Sequence, residues 1–179
     1  MLPEPVTWMI RDADGDVMPW LTHPALSELD AMDLSGRRVF EWGAGHSTLW
    51  WAKRAAAVVI VEHNLTWALA VAGAIKQAGR SALLHIDQEA EYIQAVRRYL
   101  PKFEVIVVDG IHREACVREA VGMLQPGGLL IVDNVEWPEL DACVGQLLAG
   151  WERHRHPQPD HGGDPQWTTD LYRAPKEPA

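Results

Sequence analysis

Cysteine is scarce in this chain of 179 residues, which contains only Cys116 and Cys143. Both lie in patterns typical of helices, so the sequence does not predict a disulfide framework. Long apolar runs are also missing, and none approaches the roughly 20 residues that a membrane-spanning helix needs. The N-terminus carries Glu4, Asp12 and several prolines in place of the apolar core of a signal peptide. We therefore expect a cytoplasmic protein, without a membrane partner, that is stabilised by core packing.

Basic residues are few relative to acidic ones. The chain has 16 Lys and Arg residues against 25 Asp and Glu residues, which gives a formal net charge of −9 at pH 7. No long basic run interrupts this balance. Because nucleic acids bind proteins largely through phosphate contacts with Lys and Arg, this charge argues against a nucleic-acid partner.

From residue 37 onward, short apolar runs alternate with segments of helical periodicity. Such runs are typical of strands that helices cover on both faces. The predicted strands are 38–42, 57–62, 82–86, 105–109 and 129–133, and the predicted helices between them are 46–56, 65–78, 89–99 and 113–124. Gly79, Pro101 and a Pro-Gly-Gly turn at 126–128 supply stop signals. This order predicts βαβ units and a parallel sheet.

The alternation changes after residue 134. A predicted helix at 138–150 precedes two strand-like runs, 151–156 and 166–173, joined by a stretch rich in Pro, Gly and Asp. A connection without a helix favours an antiparallel pair that closes the sheet. We expect a single domain overall, in which an N-terminal arm and helix at 1–36 precede the sheet-forming part at 37–179.

The central motif is a strand, a glycine turn and a helix start within residues 37–52, which read RRVFEWGAGHSTLWWA. Gly43 and Gly45 flank the turn, and Ser47 and Thr48 follow at the start of the helix. Glycine lets the backbone approach a ligand closely, and the free N–H groups of a first helical turn face that ligand. This arrangement predicts a nucleotide-binding corner.

Acidic side chains end every predicted strand of the parallel sheet. They are Glu41, Glu62, Asp87, Asp109 and Asp133, the last followed by Asn134. Ligands of open parallel sheets lie at these carboxyl ends. Acids at a glycine corner repel a pyrophosphate, and Thr48 stands where a dinucleotide fingerprint has its third glycine. An NAD-type oxidoreductase is therefore disfavoured, and a cationic cofactor that carries ribose and adenine is favoured.

S-adenosylmethionine meets this description because it carries a sulfonium, an ammonium and a carboxylate. We expect Glu41 to bind the ammonium end, and the backbone at 43–45 with the helix start at 47–48 to bind the carboxylate. Glu62 is placed to accept hydrogen bonds from both ribose hydroxyls. Asp87 is expected to accept a hydrogen bond from the adenine amino group.

Four motifs in order carry a family resemblance. EWGAGHST at 41–48 resembles the first motif of class I S-adenosylmethionine-dependent methyltransferases, and VEHN at 61–64 resembles their second-strand acidic motif. FEVIVVDG at 103–110 and LQPGGLLIVDN at 124–134 resemble the later motifs. The resemblance implies an α/β fold, a Rossmann-like three-layer α/β/α sandwich with a mostly parallel seven-stranded sheet and an antiparallel C-terminal strand.

The same resemblance implies a set of cofactor-binding residues. Its members end the first three strands or belong to the glycine turn: Glu41, Gly43, Gly45, Glu62 and Asp87. Two neighbours of the strand-end acids join this set, Trp42 as a shaper of the cofactor pocket and His63 as part of the second motif. Asp109 is a further candidate, at the methionine end of the cofactor.

Asp109, Asp133 and Asn134 end neighbouring strands of the expected sheet. Adjacent strands lie about 4.8 Å apart, so these oxygens can converge on one cation, and oxygen-only ligation suits Mg²⁺. The arrangement resembles that of metal-dependent small-molecule O-methyltransferases, which implies an Mg²⁺ ion that lowers the pKa of an acceptor hydroxyl. In the alternative interpretation, Asp109 contacts the cofactor or the acceptor, and Asp133 and Asn134 cap the next helix.

Three histidines enter the functional hypotheses. His112, three residues after Asp109, is a predicted general base because histidine titrates near neutral pH, and a surface histidine at a helix start is the competing interpretation. His154 and His156 would share one face of a predicted strand. The sequence offers them no third ligand at a useful spacing, so it does not predict a metal site there.

The leading functional hypothesis is methyl transfer to a small-molecule acceptor, at a hydroxyl oxygen. A catalytically silent S-adenosylmethionine-binding protein, or a partner-binding subunit, is the alternative from another class. The short chain leaves little room for an acceptor pocket, so a homodimer that completes it is a further hypothesis. Trp20 and Trp137 are candidate walls of the acceptor pocket, whereas Trp67 is predicted to pack in the core.

Overall fold

The computed structural model describes residues 11–12, 15–158 and 166–176. In that part of the chain the helices are α1 (His23–Asp30), α2 (His46–Arg54), α3 (Leu65–Gln77), α4 (Glu89–Gln94), α5 (Arg113–Met123) and α6 (Pro138–Leu147). The strands are β1 (Arg38–Trp42), β2 (Ala57–Glu62), β3 (Leu83–Ile86), β4 (Phe103–Val108), β5 (Leu124–Asp133), β6 (Glu152–Pro157) and β7 (Thr168–Arg173). None of these helices is long and apolar enough to cross a membrane.

One seven-stranded sheet organises the fold, in the strand order β3-β2-β1-β4-β5-β7-β6. Neighbouring strands from β3 across to β5 pair in parallel. Strand β7 lies between β5 and β6 and pairs antiparallel with both, so it alone runs against the other six. The predicted α/β fold class, with a mostly parallel sheet and an antiparallel C-terminal strand, is confirmed.

Helices cover both faces of the sheet because the inner strands are apolar on both sides. Phe40 and Trp42 of β1 pack in one cluster with residues of α4, α5 and α6. Val39 packs in the other cluster with residues of α1, α2 and α3. Strands β1, β2 and β4 are buried along almost their whole length, as their continuous apolar sequences predict. The order of layers is therefore helix, sheet, helix.

Most predicted boundaries lie within a few residues of those in the structure, and two elements differ more. Strand β5 begins at Leu124 rather than at residue 129, because the Pro-Gly-Gly turn lies within a bulged strand. Phe103 pairs with Leu124, and the register shifts before Val105 pairs with Leu129. The predicted helix at 89–99 divides into α4 and a short 3₁₀ helix, Ala95–Arg98.

Helix α1 shares the core of the sheet. Leu21, Ala25 and Leu29 are buried in the cluster that α2 and α3 also line. The backbone N–H of Thr22, just before the helix, donates to Oγ1 of Thr169 in β7 at 3.1 Å. The division of the chain at residue 36 stays a prediction, and residues 1–10 of the expected arm lie outside the described residues.

An ion pair between a partly exposed arginine and a buried aspartate joins β6 to β7. Asp170 of β7 is fully buried, and Nη2 of Arg153 in β6 lies 2.6 Å from its Oδ2. The same guanidinium reaches Asp141 of α6 at 2.8 Å, and the Tyr172 hydroxyl donates to Asp170 at 3.0 Å. Because a buried carboxylate without a partner is costly, Arg153 stabilises this end of the sheet.

We expect Arg153→Gln to lower the free energy of unfolding by about 2–4 kcal/mol, because it leaves the buried Asp170 charge without its cation. The matched variant Arg155→Gln removes a neighbouring arginine whose contact with Asp141 is longer, at 3.4 Å. That contact is exposed, so its loss is expected to cost less than about 1 kcal/mol. Urea unfolding measures both values, and equal losses would contradict this account.

Candidate functional site

A cleft opens at the carboxyl ends of β1, β4 and β5, where the strand order reverses. Its volume is about 360 Å³, which lies in the usual range for small-molecule sites. The described residues that line it are Trp20, Ala44, Gly45, His46, Ser47, Trp67, Asp109, Asp133, Asn134 and Trp167. The structure thus brings the predicted residues of the glycine turn, the α2 start and the last two parallel strands to one wall.

Gly43 lets the ends of β1 and β4 meet. It has a φ of +95°, and its N–H donates to the carbonyl oxygen of Val61 at 2.9 Å. A Cβ at this position would lie 2.7 Å from the carbonyl oxygen of Asp109 and 2.8 Å from Cα of Gly110. At Gly45 a Cβ would meet no atom within 4 Å. The steric requirement for glycine therefore falls on the first glycine of the turn.

Glu41 fixes the glycine turn from within the core. It is fully buried and is not among the residues that line the cleft. Its Oε2 accepts a hydrogen bond from the Thr48 hydroxyl at 2.5 Å, and Thr48 Oγ1 accepts the Gly45 N–H at 3.0 Å. Glu41 thus positions the turn through Thr48, and its expected contact with a cofactor ammonium stays a prediction.

The electrostatic surroundings of Glu41 favour its protonated form. Burial raises the pKa of Glu41 to about 7, and the charge of Glu62 adds to this rise. The nearby polar side chains of Ser47, Thr48 and Trp51 oppose the rise. Oε1 of Glu41 is buried, and no described residue reaches it in hydrogen-bonding geometry. The Glu41 carboxyl group therefore keeps its proton up to near-neutral pH.

Glu62 ties the turns after β1 and β2 together. Its Oε1 accepts the backbone N–H groups of His63 at 2.9 Å and Asn64 at 2.8 Å. Its Oε2 accepts the N–H of Ala44 at 3.0 Å, and its own carbonyl accepts the N–H of Asp87 at 3.1 Å. Three backbone donors therefore hold one carboxylate, next to the end of β3. The ribose contact expected of Glu62 stays a prediction.

Of the other predicted cofactor residues, Trp42 and His63 contact Tyr92 of α4, and Asp87 contacts Arg98. Trp42 is fully buried and donates its indole N–H to the Tyr92 carbonyl at 2.8 Å. The rings of His63 and Tyr92 meet edge to face, with centroids 6.1 Å apart. Asp87 forms an ion pair with Arg98 at 2.6 Å. None of these residues lines the described cleft, so they form a separate group at the ends of β1, β2 and β3.

Arg113 is not among the predicted site residues, yet it joins the ends of β4 and β5. The residue is 9% exposed. Its Nε donates to the carbonyl of Gly110 at 2.9 Å, and its Nη2 donates to Oδ1 of Asp109 at 3.0 Å. Its Nη1 donates to Oδ1 of Asn134 at 2.8 Å and to the backbone carbonyl of Asp133. The guanidinium therefore lies where the three predicted metal ligands converge.

This donor set does not fit a metal ion. Both carboxylate oxygens of Asp133 accept hydrogen bonds from the Trp167 indole, at 3.0 and 3.1 Å. Oδ1 of Asp133 also accepts the Thr169 hydroxyl at 2.5 Å. Oxygens already engaged in this way, beside a guanidinium charge, are poor ligands for Mg²⁺. The geometry therefore does not support the expected Mg²⁺ site at Asp109, Asp133 and Asn134.

Asp109 is better placed than His112 to accept a proton in the cleft. Burial raises the pKa of Asp109, and the charge of Asp133 adds to this rise, while Arg113 opposes it. Burial also raises the pKa of Asp133. His112 is exposed at the start of α5 and is not among the lining residues.

Tryptophans form much of the remaining wall. Trp20 lines the cleft, as the sequence predicts, and so does Trp67 of α3, which was expected to serve only in packing. Trp167 directly precedes β7 and reaches the cleft because that strand inserts beside β5. Trp137 packs against Arg113, whose Cζ lies 4.8 Å from the ring centroid, and it does not line the cleft.

No protein-family model and no curated protein sequence matches the chain. Solved structures resemble it over most of its length. An rRNA methylase from Streptococcus thermophilus has a TM-score of 0.67 and 11% identity, over 87% of this chain and 99% of that one. A candidate O-methyltransferase from Klebsiella pneumoniae has a TM-score of 0.64 and 18% identity, over 84% of this chain and 77% of that one. A candidate methyltransferase from Streptococcus mutans, in complex with S-adenosylhomocysteine, has a TM-score of 0.66 and 10% identity, over 86% and 99%.

The chain has the class I methyltransferase fold. At identities of 10% to 18% these likenesses establish the architecture alone. The methyltransferase fold explains why the cleft lies at the carboxyl ends of the central strands, beside the strand-order reversal. The fold does not determine the cofactor or the acceptor, which depend on the residues that line the cleft.

We expect Glu41→Gln to change the pH dependence of stability in the cofactor-free methyltransferase fold. The pKa of Glu41 is raised from its ordinary 4.5 to about 7 in the folded state. The wild type therefore loses stability as pH rises through this interval, whereas the amide does not titrate. At roughly 1.4 kcal/mol per pKa unit, the variant should gain about 2 kcal/mol over the wild type between pH 5 and pH 8. Thermal unfolding at both pH values measures the gain, and a pH-independent difference would refute the raised pKa.

Proposed function

We propose that this chain is an S-adenosylmethionine-dependent methyltransferase that methylates a small-molecule acceptor at a hydroxyl oxygen. The observation that carries the proposal is the chemistry of the cleft wall beside the glycine turn. Among the described residues that line it, Asp109 and Asp133 are acidic and none is Lys or Arg. Such a wall favours a cationic ligand over the pyrophosphate of NAD, which needs positive partners.

We assign the two parts of the cofactor to the two groups of residues at the strand ends. Its methionine part lies over the glycine turn and the start of α2, where Ser47 lines the cleft and the positive end of the helix dipole suits a carboxylate. Its adenosine part extends past Glu62 towards His63 and Asp87, which adjoin the ends of β2 and β3. The S-adenosylhomocysteine complex of the similar Streptococcus mutans protein supports this choice of cofactor.

The acceptor is assigned to the part of the cleft that tryptophans line. Trp20, Trp67 and Trp167 offer flat, apolar surfaces of the kind that bind aromatic rings. Asp109, on the same wall, takes the proton of the acceptor hydroxyl. The hydroxyl oxygen then bonds to the cofactor methyl carbon, the bond between sulfur and that carbon breaks, and S-adenosylhomocysteine leaves.

Ribosomal RNA is the competing acceptor, since an rRNA methylase is among the similar structures. The formal net charge of −9 counts against it, because RNA binding relies on Lys and Arg along the phosphate path. A small-molecule hydroxyl is therefore the preferred acceptor. An assay that offers both a panel of hydroxylated aromatic compounds and an rRNA fragment separates the two.

We expect S-adenosylmethionine and S-adenosylhomocysteine, but not NAD, to bind in calorimetric titrations. Glu62→Gln should raise the Kd for S-adenosylmethionine about 10- to 100-fold, because hydrogen bonds to a charged acceptor contribute roughly 1.5–3 kcal/mol. The matched variant Glu139→Gln changes an exposed glutamate at the start of α6 and should bind like the wild type. Circular dichroism confirms that both variants are folded.

Three outcomes of these experiments would count against the proposal in different ways. Binding of NAD alone would overturn the proposed cofactor. Unchanged affinity in Glu62→Gln would overturn the ribose assignment and leave the cofactor in place. Cofactor binding without methyl transfer to any compound or RNA in the panel would favour a catalytically silent binding protein.

We expect methyl transfer to be independent of added Mg²⁺, because Arg113 and the Trp167 indole already engage the oxygens of the predicted ligand set. Rates in MgCl₂ and in EDTA should agree within about twofold when measured well below the unfolding temperature. A loss of tenfold or more in EDTA that Mg²⁺ restores, and zinc does not, would show that the metal-dependent mechanism applies after all.

A further inference from the structure

The outermost strand of the sheet, β6, presents two chemically different faces. Arg153 and Arg155 lie on the side of α6, where both contact Asp141. His154 and His156 alternate with them and lie on the side where α1 packs. The shared face of the two histidines is therefore as the sequence predicts.

Glu28 of α1 supplies the third ligand that the sequence does not reveal. Its Oε1 lies 2.8 Å from Nδ1 of His154, and its Oε2 lies 3.0 Å from Nε2 of His156. Within the described residues, the three ligand atoms all lie within 4.8 Å of one another. The side chains of Glu28 and His156 are 27% and 15% exposed, so packing limits their freedom to move apart.

An unsatisfied ring nitrogen of His156 is independent evidence for a ligand at this position. Its Nε2 is buried, and no described residue forms a hydrogen bond with it although Glu28 Oε2 lies 3.0 Å away. A buried ring nitrogen without a hydrogen bond is costly and calls for an explanation. A cation between the two groups would satisfy the nitrogen lone pair and the carboxylate together.

We propose that Glu28, His154 and His156 bind one divalent transition-metal ion, with zinc as the best chemical match. Two imidazole nitrogens and a carboxylate are ordinary zinc ligands, whereas Mg²⁺ and Ca²⁺ prefer oxygen alone. Bonds of about 2.0–2.2 Å place two ligands of a tetrahedral ion roughly 3.3 Å apart. Oε2 of Glu28 lies 3.0 Å from both Nδ1 of His154 and Nε2 of His156, which approaches that geometry. A water molecule takes the fourth position.

Glu152 contacts the second ring nitrogen of His154, on the side away from Glu28. Its Oε1 lies 3.0 Å from Nε2 of His154, the ring nitrogen that does not face Glu28. A metal-bound histidine usually donates its other N–H to a carboxylate, which fixes the tautomer and the ring orientation. Glu28 and Glu152 also raise the pKa of His154, so protons compete with the metal and binding is measured above neutral pH.

The role of this ion is structural. It ties α1 to the edge of the sheet, and the segment just before α1 carries Trp20 to the wall of the cleft. Thr22, between them, is already anchored to β7. Metal binding therefore stabilises one wall of the cleft and supplies no group to the reaction, and the proposal holds whatever the cleft binds.

The test uses full-length, tag-free protein that is stripped with EDTA, dialysed and titrated with ZnCl₂ at pH 7.5. We expect calorimetry to give one zinc ion per chain, and Tm to rise by about 5–10 °C at hundredfold excess over Kd. Glu28→Gln and His156→Asn should each weaken zinc binding at least about 100-fold, and Glu152→Gln about 10- to 100-fold. His112→Asn, at a positive-φ position that asparagine tolerates, removes a histidine elsewhere and should bind zinc like the wild type.

The readout is the zinc-dependent shift of each variant, because Glu28→Gln also changes the contacts of the carboxylate with both histidines and lowers Tm without zinc. Circular dichroism shows that each zinc-free variant is folded. The visible absorption of bound Co²⁺ gives a second readout, which the ligand variants should lose. The proposal is overturned if the wild type shows no zinc-dependent shift, or if the ligand variants shift as much as His112→Asn.

Discussion

A buried guanidinium holds the ligand-facing end of the sheet together. Arg113 reaches carbonyl groups at the ends of both β4 and β5, and it donates to the side chains of Asp109 and Asn134. Its charge offsets the repulsion that two neighbouring aspartates would otherwise create. Since arginine stays protonated at any physiological pH, this compensation is permanent. The acids of the cleft wall are thus part of the folded core as much as of the site.

The glycine corner depends on a second set of polar contacts, which differs between its two glutamates. Glu62 receives three backbone N–H groups and is fixed in one orientation. Glu41 accepts one hydrogen bond, from the Thr48 hydroxyl, and is fully buried. The first arrangement fixes the carboxylate that we propose as an acceptor for ribose hydroxyls, and the second fixes the turn through Thr48. One residue type therefore fills two electrostatic roles around the same loop.

Much of the fold could be predicted from the sequence, because most strands and helices follow local patterns of apolar and turn residues. Strands β1 and β2 match their predicted bounds, since each is an apolar run that ends at a turn. The start of β5 was not accessible, because its bulge depends on pairing with the distant β4. The rule that strand ends share one edge correctly brought Asp109, Asp133 and Asn134 together.

The position of the strand ends does not predict which other groups lie between Asp109, Asp133 and Asn134. Arg113 follows Asp109 by four residues, a spacing that could have suggested an ion pair between them. Its burial among carbonyl groups depends on tertiary packing, which the local sequence does not show. Trp167 lies 34 residues from the aspartate that it contacts. Glu28 lies 126 residues from His154. No local pattern reports contacts of this range, so the arginine among the predicted magnesium ligands and the carboxylate beside the two histidines were both missed for the same reason.

The outer strand β6 also decides where the sheet stops. The edge strand of any sheet offers unpaired N–H and C=O groups to a passing strand, and native proteins block that pairing with charged side chains. Arg153, His154, Arg155 and His156 stand in succession along β6. A second copy aligned there would bring the arginines of the two strands close together on the side of α6. The side chains that fasten α1 and α6 to the strand therefore also protect the molecule from edge-to-edge aggregation.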